Sequence, residues 1–151
     1  MRIIQITDTH LSPTKPHFNG NWSPLIEWIA DQKPDLIIHT GDFTIDGADV
    51  EADLIFCREL MRDLPAPMLC LPGNHDIGHL PASRQPVNVE RLQRWRDHFG
   101  PEYWTLNFGK WLLIGLNSLI IGDGSALEEV QFQWLEKQLN QSEGRPVAGF
   151  G

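Results

Sequence analysis

Two spacings of apolar residues alternate along this chain. Residues 2 to 7, 35 to 40 and 67 to 71 are apolar runs of strand length, and the stretches between them repeat apolar positions three or four apart. The first spacing predicts strands and the second predicts helices, so the alternation predicts βα units building a largely parallel sheet. In the first helical stretch Ser23 and Pro24 serve as N-cap and first helical residue, Leu25, Ile26 and Ile29 form an apolar face, and Pro34 closes it. The second helix, predicted over 48–63, carries Val50, Leu54, Cys57, Leu60 and Met61 on one stripe and ends at Pro65-Ala66-Pro67.

Residues 79 to 88 hold Pro81 and Pro86 and read as a loop, after which Val89, Leu92, Trp95 and Phe99 recur at helical spacing up to Gly100. Residues 103 to 107 and 111 to 117 predict a hairpin turning near Phe108-Gly109, the one antiparallel signal. Ser125 and Glu128 form a capping box ahead of a helix bearing Leu127, Val130, Trp134, Leu135 and Leu139. A turn at Gly144-Arg145-Pro146 then leads into a strand beginning at Val147.

Composition narrows the class. With 151 residues and 41% of them hydrophobic, the chain is long enough for one domain with a core. Twenty acidic side chains against 12 basic ones give a formal charge of −8, which repels nucleic acid and anionic lipid unless a basic patch intervenes, and none is present. Cys57 and Cys70 make neither a Cys-x-x-Cys pair nor a disulfide framework, so a reducing, cytoplasmic setting is expected. Gln5 and Asp8 interrupt the first apolar stretch too early for a signal-peptide core, and no run reaches the length of a membrane span.

The chemistry sits where the predicted strands end. Asp8 and His10 close the first strand two positions apart, so a carboxylate and an imidazole project to one side, a mixed donor set that suits Zn, Mn or Fe. Alone, that pair could equally cap a helix or make a surface hydrogen bond. Gly41 and Asp42 follow the second strand, where glycine allows a tight bend and a two-oxygen carboxylate can bridge two cations, although a Gly-Asp turn is common. Pro72-Gly73-Asn74-His75-Asp76 follows the third strand: Asn74 offers an uncharged carbonyl oxygen and His75 a group that can act on a phosphate oxygen, unless both only satisfy a turn. Asp8 and Asp42 lie 34 positions apart, and Asp42 and Asn74 lie 32 apart. Each interval is one βα unit of about thirty residues, so the three clusters meet at the carboxyl edge of one sheet, where open α/β sheets bind ligands. His39 reads as a packed strand residue, and His79 follows the third motif closely enough to enter the pocket, although loop histidines are mostly solvated.

The motifs, their order and their spacing resemble the calcineurin-like metallophosphoesterase superfamily: its Asp-x-His, Gly-Asp and Gly-Asn-His-Asp pattern is matched by Asp8 and His10, Gly41 and Asp42, and Gly73 to Asp76. The stretch Ile6-Thr7-Asp8-Thr9-His10-Leu11 is most similar to the bacterial branch holding cyclic-nucleotide phosphodiesterases and glycerophosphodiesterases. The resemblance implies the N-terminal portion of a four-layer αββα sandwich, with a mostly parallel sheet flanked by helices. It implies a hydrolase that cleaves a small phosphodiester or phosphomonoester with a water activated by two divalent transition metal ions (Mn, Fe or Zn). Asp8 and His10 would hold the first ion, Asp42 would bridge both, and Asn74 would hold the second. His75 would be the catalytic residue at the substrate, with Asp76 orienting its neighbours.

The family's later ligands, a further histidine and a Gly-His-x-His segment, have no counterpart, because all six histidines (His10, His17, His39, His75, His79 and His98) come at or before position 98. Residues 1–151 are therefore expected to be a single metallophosphoesterase domain incomplete at its C-terminus and lacking its second sheet. Homo-oligomerisation would then cover the bared sheet face. Neither nucleic acid nor a membrane is an expected partner. Two alternatives stay open: a non-catalytic binding or scaffold module with a vestigial metal site, and a nuclease on the same fold, which the charge of −8 disfavours.

Overall fold

The computed structural model describes all 151 residues. The first three strands, β1 (Ile3–Ile6), β2 (Leu36–His39) and β3 (Met68–Cys70), pair in parallel in the order β1-β2-β3, with Ile4 beside Ile37 and Ile37 beside Met68. Between them run α1 (Trp22–Gln32) and α2 (Glu51–Met61). A 3-10 turn at Asn19–Asn21 feeds α1, so Ser23 and Pro24 lie within its first turn and not at its cap. Proline is harmless there, since the first turn's N–H groups have no intrahelical acceptor. Lys33 ends the helix in the left-handed region, one residue ahead of Pro34.

The alternation of side chains along these strands places two apolar layers on opposite faces of the sheet. Ile4, Ile6 and Ile37 pack on Ile29 of α1, while Leu36, Ile38 and Leu71 turn to the other side. A larger cluster joins Leu54, Cys57 and Met61 of α2 to Leu92 and Trp95 of α4 (Val89–Phe99), with Phe43 and Ile77 between the helices. At a rate of about 25 cal/mol per Å² of apolar surface removed from water, such layers supply the main force holding strands and helices together.

The second sheet is present, which corrects the expectation that it would be missing. After α4 the chain forms the predicted hairpin, β4 (Trp104–Phe108) and β5 (Trp111–Gly115), turning at Gly109 with φ of 59°. The capped helix α5 (Ala126–Asn140) then returns the chain so that β6 (Val147–Phe150) pairs parallel to β5. This three-stranded sheet lays Trp104, Leu106, Leu113 and Phe150 over Leu36, Ile38 and Leu71, and the Trp104 Nε1–H donates to the Cys70 carbonyl across the interface at 2.8 Å. The inner face of the first sheet is thereby covered, with Ile38 fully buried. A dimer formed to shield that face has no bare surface to form on.

α5 also differs from expectation. Its buried residue is Gln131, whose amide both accepts from the Asn117 N–H at 2.9 Å and donates to the Asn117 carbonyl at 3.1 Å, while Val130 and Leu139 are exposed. Trp134 packs on Tyr103 with ring centroids 4.7 Å apart. No helix is long and apolar enough to cross a membrane.

Candidate metal centre

The three motifs meet at the carboxyl ends of β1, β2 and β3. After β1 the chain runs beside the segment after β2: Asp8 N–H donates to the Gly41 carbonyl (3.0 Å), His10 N–H to that of Asp42 (3.0 Å) and Leu11 N–H to that of Phe43 (2.7 Å). Asp8, His10 and Asp42 all adopt positive φ, at 57°, 46° and 54°. Such conformations cost a non-glycine residue of order 1 kcal/mol or more each and cluster at functional sites. The two other non-glycine residues with positive φ, Lys33 and Glu143, lie far from these loops in sequence.

Two glycines bring the second and third loops together. A Cβ on Gly41 would lie 2.7 Å from the Gly73 backbone, and one on Gly73 would lie 2.1 Å from Asp42 Oδ1. The pair therefore permits a backbone-to-backbone approach no other residues allow. Asp42 Oδ1 accepts the His75 N–H at 2.9 Å, and Oδ2 faces His10 Nε2 at 3.9 Å. Asp8 Oδ1 lies 3.6 Å from the same Nε2, with its other oxygen accepting from the Thr7 hydroxyl at 2.6 Å.

Both imidazoles are oriented by backbone carbonyls of the segment after β2. His10 Nδ1 lies 3.2 Å from the Thr44 oxygen and His75 Nδ1 lies 2.6 Å from the Ile45 oxygen. A carbonyl oxygen only accepts, so each Nδ1 carries the hydrogen and each Nε2 is left free for a cation or a proton. The rings stand edge to face at 4.7 Å, and one donor atom each from His10, Asp42 and His75 lie within 4.8 Å of one another. Two imidazole nitrogens and a carboxylate fit a divalent transition cation by donor chemistry, with the carboxylate of Asp8 alongside. The predicted site residues thus split: His75, expected at the substrate, joins His10 and Asp42 in the tight group, whereas Asp8 and Asn74, expected as ligands, line the adjoining cleft of about 170 Å³ with Asp42, Gly73 and Ser118.

Asp76 lies beneath this arrangement. It opens no path to solvent and accepts from the N–H groups of Gly73 (2.9 Å), Phe43 (3.2 Å) and Thr44 (3.0 Å) and from the Thr44 hydroxyl (2.8 Å). Burial pushes its carboxyl up to about 6, against the opposing pull of those donors. Residues 74–77 form a four-residue helical turn, α3 (Asn74–Ile77), where the sequence suggests only a turn. His39 lies in the core: its Nδ1 accepts the Gly41 N–H at 3.3 Å, which leaves Nε2 as donor to the Thr9 hydroxyl at 3.0 Å. Burial foremost, and the nearby His10 charge, lower its pKa to about 3, so it stays neutral.

This geometry agrees with the match to known proteins. Residues 1–147 match the calcineurin-like phosphoesterase family. The chain belongs to that family. Among its relatives, the probable glycerophosphodiester phosphodiesterase GpdQ of Arcobacter nitrofigilis is 30% identical over 99% of the chain and 56% of its own length. The 3',5'-cyclic adenosine monophosphate phosphodiesterase CpdA of Escherichia coli is 30% identical over 92% of the chain and 50% of its own length. The chain therefore spans about half the length of these relatives. The purple acid phosphatase PPD1 of yellow lupin seeds superimposes with a TM-score of 0.64 at 13% identity, over 93% of this chain and 27% of that one, a likeness of fold.

Two residues outside the motifs contact this arrangement. Asp53, on the buried side of α2, accepts from the Ser12 hydroxyl at 3.0 Å and the Asp46 N–H at 3.1 Å, tying the loop after β1 to the loop after β2. Its signal was a charged residue beside an apolar stripe. His79, an exposed loop residue, places Nε2 at 3.3 Å from Asn74 Nδ2. Its only signal was its nearness to the third motif.

Proposed function

We propose that the chain provides the core of a two-metal phosphoesterase site acting on a small phosphoester, and that cyclic nucleotides and glycerophosphodiesters are the substrate classes to test first. The convergence of His10, Asp42 and His75 at the ends of consecutive parallel strands carries this reading, with Asp8 and Asn74 lining the same cleft. In this reading Asp8 and His10 hold one cation, Asp42 reaches both, and Asn74 serves the second; the ions are Mn, Fe or Zn. Bound there, the ions would supply an acidified water and positive charge beside the phosphoryl oxygens. His75, anchored through Nδ1 at the Ile45 carbonyl, would in this reading face the substrate and not a cation: with a proton taken up on Nε2 it would stabilise charge or pass that proton to the leaving alkoxide. Asp76 holds the segment whose carbonyls orient both imidazoles.

Both cysteines are free thiols in the interior, which supports a reducing, cytoplasmic setting. A full shell for the second cation would need donors beyond Asp42 and Asn74. The short donor list for a second cation among these residues, Asp42 and Asn74, supports a second reading, a module that binds metal or ligand without turnover. Assays of aryl phosphodiesters and monoesters with Mn, Fe and Zn, on this chain and on one extended toward the length of its relatives, test both. The phosphoesterase reading expects turnover in the longer chain that Asp42→Ala abolishes. Metal binding without turnover in either chain favours the module, and no metal binding in either defeats both.

A further inference from the structure

A side-chain amide can face a cation with either end, and only one end is a ligand. Asn74 presents Oδ1 as an acceptor and Nδ2 as two donors, and the two orientations differ only by a flip. No side chain lining the cleft hydrogen-bonds the Asn74 amide.

Outside the cleft one does. His79 Nε2 lies 3.3 Å from Asn74 Nδ2. We propose that His79 is a positioning residue for the metal centre: its Nε2 accepts an Asn74 amide N–H and so keeps the Asn74 carbonyl oxygen turned to the second cation. An Nε2 that accepts carries no hydrogen, so in this contact the ring hydrogen sits on Nδ1. This deepens the proposed function and rests on Asn74 being a ligand there.

The backbone of His79 is held although its ring is exposed. Its N–H donates to the Gln85 carbonyl at 2.6 Å, and its carbonyl accepts from the Val87 N–H at 2.9 Å, in a parallel bridge with Pro86. Gly78 has φ of 101°, and a Cβ there would come within 2.5 Å of the Gln85 oxygen, so glycine lets the two segments close. The Gln85 amide in turn donates to Asp49 at 2.6 Å, linking this loop to the segment after β2. A short, doubly anchored stretch thus delivers the ring to one side of Asn74. The family motif ends at Asp76, so it assigns nothing to position 79.

The test exploits the fact that an aspartate has two equivalent oxygens and needs no orienting. Mn2+ binding to the full chain is followed by titration calorimetry and by the electron paramagnetic resonance of free Mn2+. His79→Ala is expected to weaken the weaker binding event by about fivefold, the worth of one neutral hydrogen bond, and His79→Gln, whose carbonyl can accept the same N–H, to restore most of it. In an Asn74→Asp background His79→Ala is expected to change the affinity by less than about twofold, because no amide remains to flip. In the metal-free protein the Asn74 side-chain 15N and 1H resonances should shift in His79→Ala.

Equal losses in the two backgrounds would make His79 a general electrostatic or direct contributor and overturn the proposal. So would unmoved Asn74 resonances. If Asn74→Ala removes the weaker event while His79→Ala leaves it intact, this inference fails and the proposed site stands. If Asn74→Ala leaves both events intact, the Asn74 assignment fails and takes this inference with it.

Discussion

The two sides of the cleft hold their donors by different means. On one side His10 and His75 are each oriented by a backbone carbonyl from a single segment, which Asp76 grips with both oxygens and Asp53 fastens to the loop after β1. On the other side Asn74 has one side-chain partner, an exposed histidine at 3.3 Å. The first side is set by the fold and the second by a contact that a rotamer change can break. In the proposed two-cation reading, this difference would make binding of the first ion firm and of the second weak.

The strongest blow falls where the sides join. Gly73→Ala would drive a Cβ to 2.1 Å from Asp42 Oδ1 and 2.3 Å from the Asp42 backbone nitrogen; the carboxylate could swing aside, but the backbone nitrogen cannot. A loss of about 4 kcal/mol or more is expected, or no folded protein at all. Gly149→Ala in β6, where nothing lies within 4 Å of the added carbon, is the control and should stay within about 0.5 kcal/mol. Urea unfolding of both variants checks this. Equal losses would mean that the loops after β2 and β3 are not closely packed.

Next in size is Asp76. Replacing it with Ala strands the N–H groups of Gly73, Phe43 and Thr44 in the interior, which is expected to cost about 3–5 kcal/mol, whereas Asp76→Asn keeps one acceptor and should cost about 2 kcal/mol. His79→Ala should leave thermal stability within about 0.5 kcal/mol, since its ring is exposed. Calorimetric melting of the three variants sharpens the contrast between the sides. A His79→Ala loss as large as that of Asp76→Asn would abolish it.

Metal binding separates the sides directly. A Mn2+ titration should show two unequal events, with His10→Ala weakening the tighter one by about a hundredfold or more, the upper end of what even outer partners of a site contribute. Asn74→Ala should affect only the weaker one. Two events of equal affinity, or one event removed by either variant, would contradict the asymmetry.

How much of this was readable beforehand follows the same division. The strands, the phase of the three motifs and the hairpin were visible because periodicity reports which face a residue occupies. Periodicity does not report partners. Asp53 stands beside an apolar stripe, and its licence to be buried comes from Ser12, 41 positions away. Gln131 was hidden for the same reason, being bonded to Asn117 at a remove of 14 positions. The capped helix was visible in Ser125 and Glu128, but that its return would seat a third strand on the second sheet depends on packing between distant segments. The contact of His79 with Asn74 depends on a bridge to Pro86 and on Gly78, and no local pattern announces either.

A pH-dependent effect concerns His39, which supports the well-held side from below through Thr9 and Gly41. Its pKa in the folded chain lies at about 3, depressed by burial first and by the His10 charge second, whereas an unfolded histidine titrates near 6.5. Below pH 6.5 the unfolded chain therefore binds a proton that the folded chain refuses. The stability tied to neutral His39 is complete above that pH and is lost progressively as the pH falls toward 3. Between pH 7 and pH 5 the loss amounts to about 2 kcal/mol. Asp76 acts in the opposite sense, because burial raises its pKa to about 6 and protonation in that range relieves the cost of burying its charge. Total stability therefore conceals the histidine. Comparison with His39→Gln isolates it, since Asp76 is common to both proteins and its contribution cancels. In urea unfolding at the two pH values, the wild-type chain is expected to lose about 2 kcal/mol more than His39→Gln. Parallel losses would show that His39 takes up its proton in the folded state, so that the ring tying Thr9 to Gly41 is a solvated contact and the His10 side is no more rigidly supported than the Asn74 side.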